Sequence, residues 1–226
     1  MGVAVILSSV DLLIRAFGEV NLLSSGYHLN VILLALNSET VLSSVPILAV
    51  LPLSAGFIEA TKNRFARYIL IRTNYTTYLV SSIITCFCCG GGIIVLGVLL
   101  AEHALALLFL LKEGMEGDVS NTISVLLNNY VLLSLNGGFW AVVGMTTSTF
   151  MESKYIAYAS PFIIYYLLII LCERYFPNAY LLYPPNWVNP DIWPCGVWGA
   201  ATVLVELAVV VSILFVIRAG RRLREL

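Results

Sequence analysis

The sequence predicts an all-α membrane protein, a single transmembrane domain over residues 1–226 with about six crossing helices and a cytoplasmic amphipathic helix between the second and third. Three observations lead there. Of the 226 residues, 60% are hydrophobic and only 11% are charged, and the mean hydropathy is +0.93; a soluble fold, with roughly 25% charged residues, has no way to hide so much apolar surface. The apolar residues fall in runs that approach the about 20 residues an α-helix needs to cross the hydrocarbon core. The basic residues gather in segments that follow alternate runs. Because backbone polar groups in lipid must be satisfied within the element, each run reads as a helix.

The first run, residues 1–17, is interrupted by Asp11 and Arg15, four apart on one helix face, where they can pair. It lacks a basic n-region and a small-residue cleavage site, so it reads as a short or truncated first span and not as a signal peptide. A polar stretch with Glu19, Asn21, His28 and Asn30 precedes VILLAL, which is too short to cross. The second span, 41–57, contains Pro46 and Pro52, whose lost hydrogen bonds neighbouring helices must repair. The third span is 78–100, followed by an acidic loop holding Lys112, Glu113, Glu116 and Asp118. The fourth, 123–150, carries Asn128, Asn129, Asn136 and the pair Gly137-Gly138, near which a tilt or break is expected. The turn Glu152-Ser153-Lys154 leads to the fifth span, 155–172. The next loop is rich in proline, tyrosine and tryptophan, of the kind found at headgroup level, and leads to the sixth span, 197–217.

Orientation follows from charge. If the segment after the second span is cytoplasmic, alternation places the 152–154 turn and the C-terminus on the same side. That side then holds Lys62, Arg64, Arg67, Arg72, Lys154, Arg218, Arg221, Arg222 and Arg224, leaving only Arg15, Lys112 and Arg174 of the 12 basic residues elsewhere. The positive-inside rule therefore makes the C-terminus cytoplasmic.

Catalytic motifs are missing from the sequence. There is no Gly-x-x-x-x-Gly-Lys-Ser/Thr to cradle a phosphate. The two histidines, His28 and His103, are far apart and outside any zinc-ligating spacing, and no Gly-x-Ser-x-Gly occurs. No catalytic residue, metal or cofactor is therefore assigned to this chain. A net charge of -1 suggests no nucleic-acid partner. Cys86, Cys88 and Cys89 crowd into ITCFCCGGGIIVL, but buried cysteine behaves mostly as a small hydrophobe. Whether Cys172 and Cys195 are joined stays open at this point. Gly90, Gly91 and Gly92, inside a span, read as a place where another helix approaches closely.

Two sets of residues remain as candidates. Glu206, near the middle of the sixth span, is an expensive carboxylate that either lines a polar path with Asn128, Asn129 and Asn136 or is bonded to the asparagine-rich fourth span. The stretch FIEATKNRFARYILIRTNYTTY places Lys62, Asn63, Arg64 and Arg67 mostly opposite Phe57, Ile58, Phe65, Tyr68 and Ile69. It reads as an interfacial amphipathic helix, either a basic anchor or a docking helix for a soluble partner. Glu59 at its start is expected to pair with Lys62 or Asn63 on the next turn.

FIEATKNRFARYILIRTNYTTYLVSSII resembles the region between the second and third spans of bacterial type-2 ATP-binding-cassette (ABC) exporter permeases. There an acidic residue ends the second span, a basic cytoplasmic helix follows, and an Arg-x-x-x-x-x-Tyr step opens the third; here these are Glu59, Lys62 to Arg67, and Arg72 with Tyr78. The span count, the cytoplasmic C-terminus and the aromatic outer loop agree with the same family, over most of the chain after about Val41. The resemblance implies a half-transporter in the bacterial cell membrane. Two permease subunits pair, alike or different, and ATP and Mg are bound by separate cytoplasmic ATPase subunits that power export of a peptide, lipid or drug-like substrate. Glu59, Lys62, Asn63, Arg64, Arg67 and Arg72 would then form the coupling helix, with the 152–154 turn as a smaller contact. One departure is that family members open with an interfacial helix before the first span, whereas this chain begins inside an apolar run. The rival class is a membrane protein that needs no ATPase: a secondary carrier with Glu206 as its ion or proton site, or a toxin-immunity protein.

Overall fold

A computed structural model of the chain describes residues 27–63, 65–109, 120–151, 153–176 and 179–224. They are helical, with no strand among the described residues: α1 (Tyr27–Leu36), α2 (Glu39–Ala49), α3 (Gly56–Lys62), α4 (Phe65–Leu70), α5 (Tyr75–Phe109), α6 (Ser120–Met151), α7 (Lys154–Arg174) and α8 (Val197–Arg224). Helices α5 to α8 contain 4 stretches long and apolar enough to cross a membrane. The predicted first span, the Lys112 to Asp118 loop, Arg64 and Glu152 lie outside the described residues.

Among the four long helices burial does not track hydropathy. The least apolar of the four long helices, α6, is the most enclosed: 61% of its most hydropathic 18-residue stretch is buried, against 28% for each of the others. It touches α1, α2, α3, α5, α7 and α8. Lipid tails are as apolar as leucine, so Leu and Ile gain little by turning inward, and small or polar residues settle between helices beside them. Accordingly Asn129, Asn136, Thr146, Ser148 and Thr149 of α6 are buried, while Leu96, Leu100, Ile163, Ile170 and Ile213 are exposed.

Glycine sets the α5–α6 contact. A Cβ on Gly91 would lie 2.5 Å from the Ser134 carbonyl oxygen, and one on Gly137 would lie 2.9 Å from that of Gly90. The two backbones touch, and α6 runs unbroken through Gly137 and Gly138. The expected break is absent because these glycines serve approach and not bending. Gly92, by contrast, faces open space.

The predicted second span is not one helix. Ser38 caps α2 by accepting a hydrogen bond from the Val41 N–H, and Pro46 is tolerated inside it. Pro52, with no N–H and a ring that collides with the preceding turn, falls in a stretch of turns over residues 50–55 before the chain resumes as α3. The turns close on local backbone bonds, Leu51 N–H to the Leu48 carbonyl and Ser54 N–H to the Val50 carbonyl, and are tied to α6 by side chains: the Ser54 hydroxyl donates to the Ala141 carbonyl at 3.1 Å, and the Cys86 thiol donates to the same oxygen at 3.4 Å. Glu39 shares a cavity with Glu173 near one end of α7, and Glu59 meets Lys154 at the other. The broken pair α2–α3 therefore runs the length of α7, whose 21 residues rise about 31 Å.

The predicted amphipathic helix over 57–72 is likewise divided, into α3 and α4, with Asn63 capping the end of α3. Asparagine competes for nearby backbone groups and favours helix ends. Its expected apolar side divides too. Phe57 packs into the bundle, its ring 4.9 Å from Phe215 and 6.1 Å from Tyr78, while Phe65 and Tyr68 of α4 are exposed. VILLAL lies within α1, a helix of 10 residues, about 15 Å long and too short to cross, buried against α5 and α6.

Candidate functional site

Charge divides the bundle into two ends. Lys62, Lys154 and Arg218 to Arg222 lie at the end where Glu59 meets Lys154 and where Gly220 abuts Tyr75. Glu39 and Glu173 lie at the opposite end of α7.

At the basic end, the start of α7 is brought against α3. Lys154 Nζ is 3.5 Å from Glu59 Oε1, with each side chain 50% exposed. The expected Glu59 pairing with Lys62 or Asn63 is thus replaced by one across the fold, because α3 points Glu59 at α7 while the Asn63 N–H closes the helix on the Glu59 carbonyl. A half-exposed ion pair contributes less than about 1 kcal/mol, so its interest is geometric. Ile58, Glu59, Lys62, Asn63, Ser153, Lys154 and Tyr155 line one recess of about 340 Å³. In the segment that follows α3, Phe65, Tyr68, Ile71 and Arg72 are exposed, as are Lys62 and Tyr155 of the recess. Arg67 lies within α4.

The intramembrane candidates separate. Asn129 and Asn136 are each 3% exposed and share one stripe of α6 with Trp140, at spacings of seven and four that fall on one helix face. The Oδ1 atoms of both asparagines and the Trp140 Nε1 are buried with no hydrogen-bond partner. Asn128 is exposed on another face, and Glu206 is exposed on α8. Glu206 therefore neither joins the asparagines nor faces the interior of this bundle.

Of the two groups that converge on the Ala141 carbonyl, Ser54 did not stand out in the sequence, where Pro52 inside an apolar run was its one signal, and Cys86 stood out only as a member of the cysteine cluster. Among the described residues no three His, Cys, Asp or Glu side chains are grouped to hold a metal. Cys172 and Cys195 are both free thiols. No protein-family model, curated protein or solved structure matches the chain.

Proposed function

We propose that the chain is the transmembrane subunit of an ATP-driven exporter of the type-2 ABC class. In this reading the basic end is cytoplasmic, separate ATPase subunits dock on it, and a second permease subunit completes the pathway. The observation that carries the reading is the union of α3 and the 153–154 turn in one recess, tied by the Glu59–Lys154 pair. Two segments far apart in sequence, cytoplasmic in this reading, there make one patch of mixed basic and aromatic character, lined by Lys62, Lys154 and Tyr155. Exposed aromatic and basic groups side by side suit a protein partner better than water. The interrupted α2–α3 crossing gives further support, since broken helices at membrane depth accompany transport paths.

The position of Glu206 bears on the rival. A carrier working as one copy needs its ion-binding carboxylate inside the bundle, and Glu206 is on the outer face of α8. An ionisable group at that depth needs a partner or a water-filled cavity, which a second permease subunit supplies.

Affinity purification in a mild detergent, followed by mass spectrometry, tests the proposal. A P-loop ATPase should co-purify, and charge reversal at Arg64 and Arg67 together with Lys154→Glu should release it while membrane insertion is retained. Transport in liposomes driven by an ion gradient alone, and stopped by Glu206→Gln, would overturn it.

A further inference from the structure

The acidic end of the bundle holds a cavity of about 190 Å³ between α2, α7 and the loop that follows α7. Glu39 and Ser43 of α2, Tyr165, Tyr166 and Glu173 of α7, and Tyr183 of the loop are among the residues that line it, and no Lys, Arg or His does. Two carboxylates therefore share one space with three phenol rings; Arg174, next to Glu173 in the last turn of α7, is not among the lining residues.

Most of the polar groups there have structural work. Glu39 sits in the first turn of α2, where a negative charge suits the helix dipole. The Ser43 hydroxyl donates to the Thr40 carbonyl, and the Tyr183 hydroxyl donates to Glu173 Oε1 at 3.2 Å. Burial first, and then this bond to Glu173, raise the Tyr183 pKa, so the phenol stays a neutral donor. Tyr165 is different. It is 4% exposed, its ring packed 5.9 Å from Trp140 and 5.5 Å edge-on to Tyr166, yet its hydroxyl has no hydrogen-bond partner among the described residues. The ring is buried, but its hydroxyl is accessible where Tyr165 borders the cavity.

We infer that this cavity is a binding site for a small organic ammonium group. The two carboxylates neutralise the cation, the aromatic rings stabilise its alkyl surface through their negative faces, and the Tyr165 hydroxyl offers its oxygen as an acceptor. The α7 C-terminus beside Glu173 adds the negative end of a helix dipole. Glu39 and Glu173 are themselves exposed, so the mouth is open to a cation arriving from water or carried on a lipid headgroup. The site stands on geometry alone and does not depend on the exporter reading.

Tetramethylammonium chloride is the probe, titrated into purified full-length protein against sodium chloride at equal ionic strength, with binding followed by tryptophan fluorescence and calorimetry. Trp140, in contact with Tyr165, serves as the reporter. Saturable binding specific to tetramethylammonium is expected, weakened about tenfold by Glu39→Gln or Glu173→Gln and unchanged by Tyr165→Phe, which keeps the ring and removes only an acceptor that a quaternary ammonium, having no N–H, does not use. Nanodiscs identify the source. Loss of tetramethylammonium binding in phosphatidylcholine but not in phosphatidylglycerol assigns the site to a lipid headgroup, and equal binding in both assigns it to a free amine. Equal responses to sodium and tetramethylammonium, or undiminished binding in a folded Glu39→Gln/Glu173→Gln double variant, would overturn the inference.

Discussion

Gly91 and Gly92 are neighbours in one helix, and the structure assigns them opposite responses to the same substitution. In Gly91→Ala the new Cβ would stand 2.5 Å from the Ser134 carbonyl oxygen, 2.9 Å from its Oγ and 3.2 Å from its carbonyl carbon, where ordinary contact begins near 3.4 Å. The carbonyl belongs to a hydrogen-bonded helix and cannot rotate aside, so α5 and α6 must separate locally by roughly 1 Å, which forfeits about a quarter to a half of each affected dispersion contact. Overpacking of this kind costs about 1–3 kcal/mol. In Gly92→Ala the Cβ meets nothing within 4 Å, and the gain in helix propensity is about 1 kcal/mol. At about 2–4 °C per kcal/mol for a chain of this size, thermal unfolding in a single detergent should show Gly91→Ala lowered by about 5 °C and Gly92→Ala raised by about 2 °C. Tryptophan fluorescence or size exclusion after heating reads both. A rise at Gly91 would refute the assigned contact; a loss at Gly92 would mean that another chain covers that face.

Ser54→Ala should cost about 0.5–1.5 kcal/mol, at the low end because Cys86 still reaches the Ala141 carbonyl, and clearly more in a Cys86→Ala background; additive effects measured by thermal midpoint would mean that the two groups do not share the acceptor. Asn136→Leu should leave stability unchanged or raise it by about 1 kcal/mol, since it removes a buried oxygen that has no partner; marked destabilisation in the same assay would reveal a partner. Lys154→Ala should shift the unfolding midpoint by less than about 0.5 kcal/mol equivalent, because the Glu59 pair is half exposed, yet on the exporter reading it should weaken retention of the ATPase on an affinity column.

The positions of the four long helices were legible because a run of apolar residues long enough for the bilayer leaves the backbone one means of satisfying its hydrogen bonds. Each of the predicted third to sixth spans falls wholly inside one helix, which extends beyond it. Breaks were less legible. Pro52 did interrupt the helix predicted over 41–57, but Gly137-Gly138 did not interrupt α6, and a proline inside α7, Pro161, left that helix whole. The difference lies in what each residue meets: Gly137 finds a glycine backbone across the interface, while the turn after Pro52 finds a carbonyl on α6 that accepts from Ser54.

The candidate site was legible in part for the same reason. Composition marked α3 and α4 as basic and interfacial, but Lys154 lies far along the chain from Glu59, and no periodicity within either segment encodes their meeting. Glu206 and the asparagines were nominated together because all are polar residues in apolar runs. Which way each faces depends on the rotation of α6 and α8 about their axes, which is set by close packing between neighbours. The sequence alone thus determined that the chain is helical, apolar enough for a membrane and charged unequally along its length, since these follow from local composition and the demand for internal hydrogen bonds. Only the tertiary structure decided that Asn129 and Asn136 turn inward, that Glu206 turns outward, and that Glu39 and Glu173 share one aromatic cavity. Those facts depend on contacts between segments far apart in the chain.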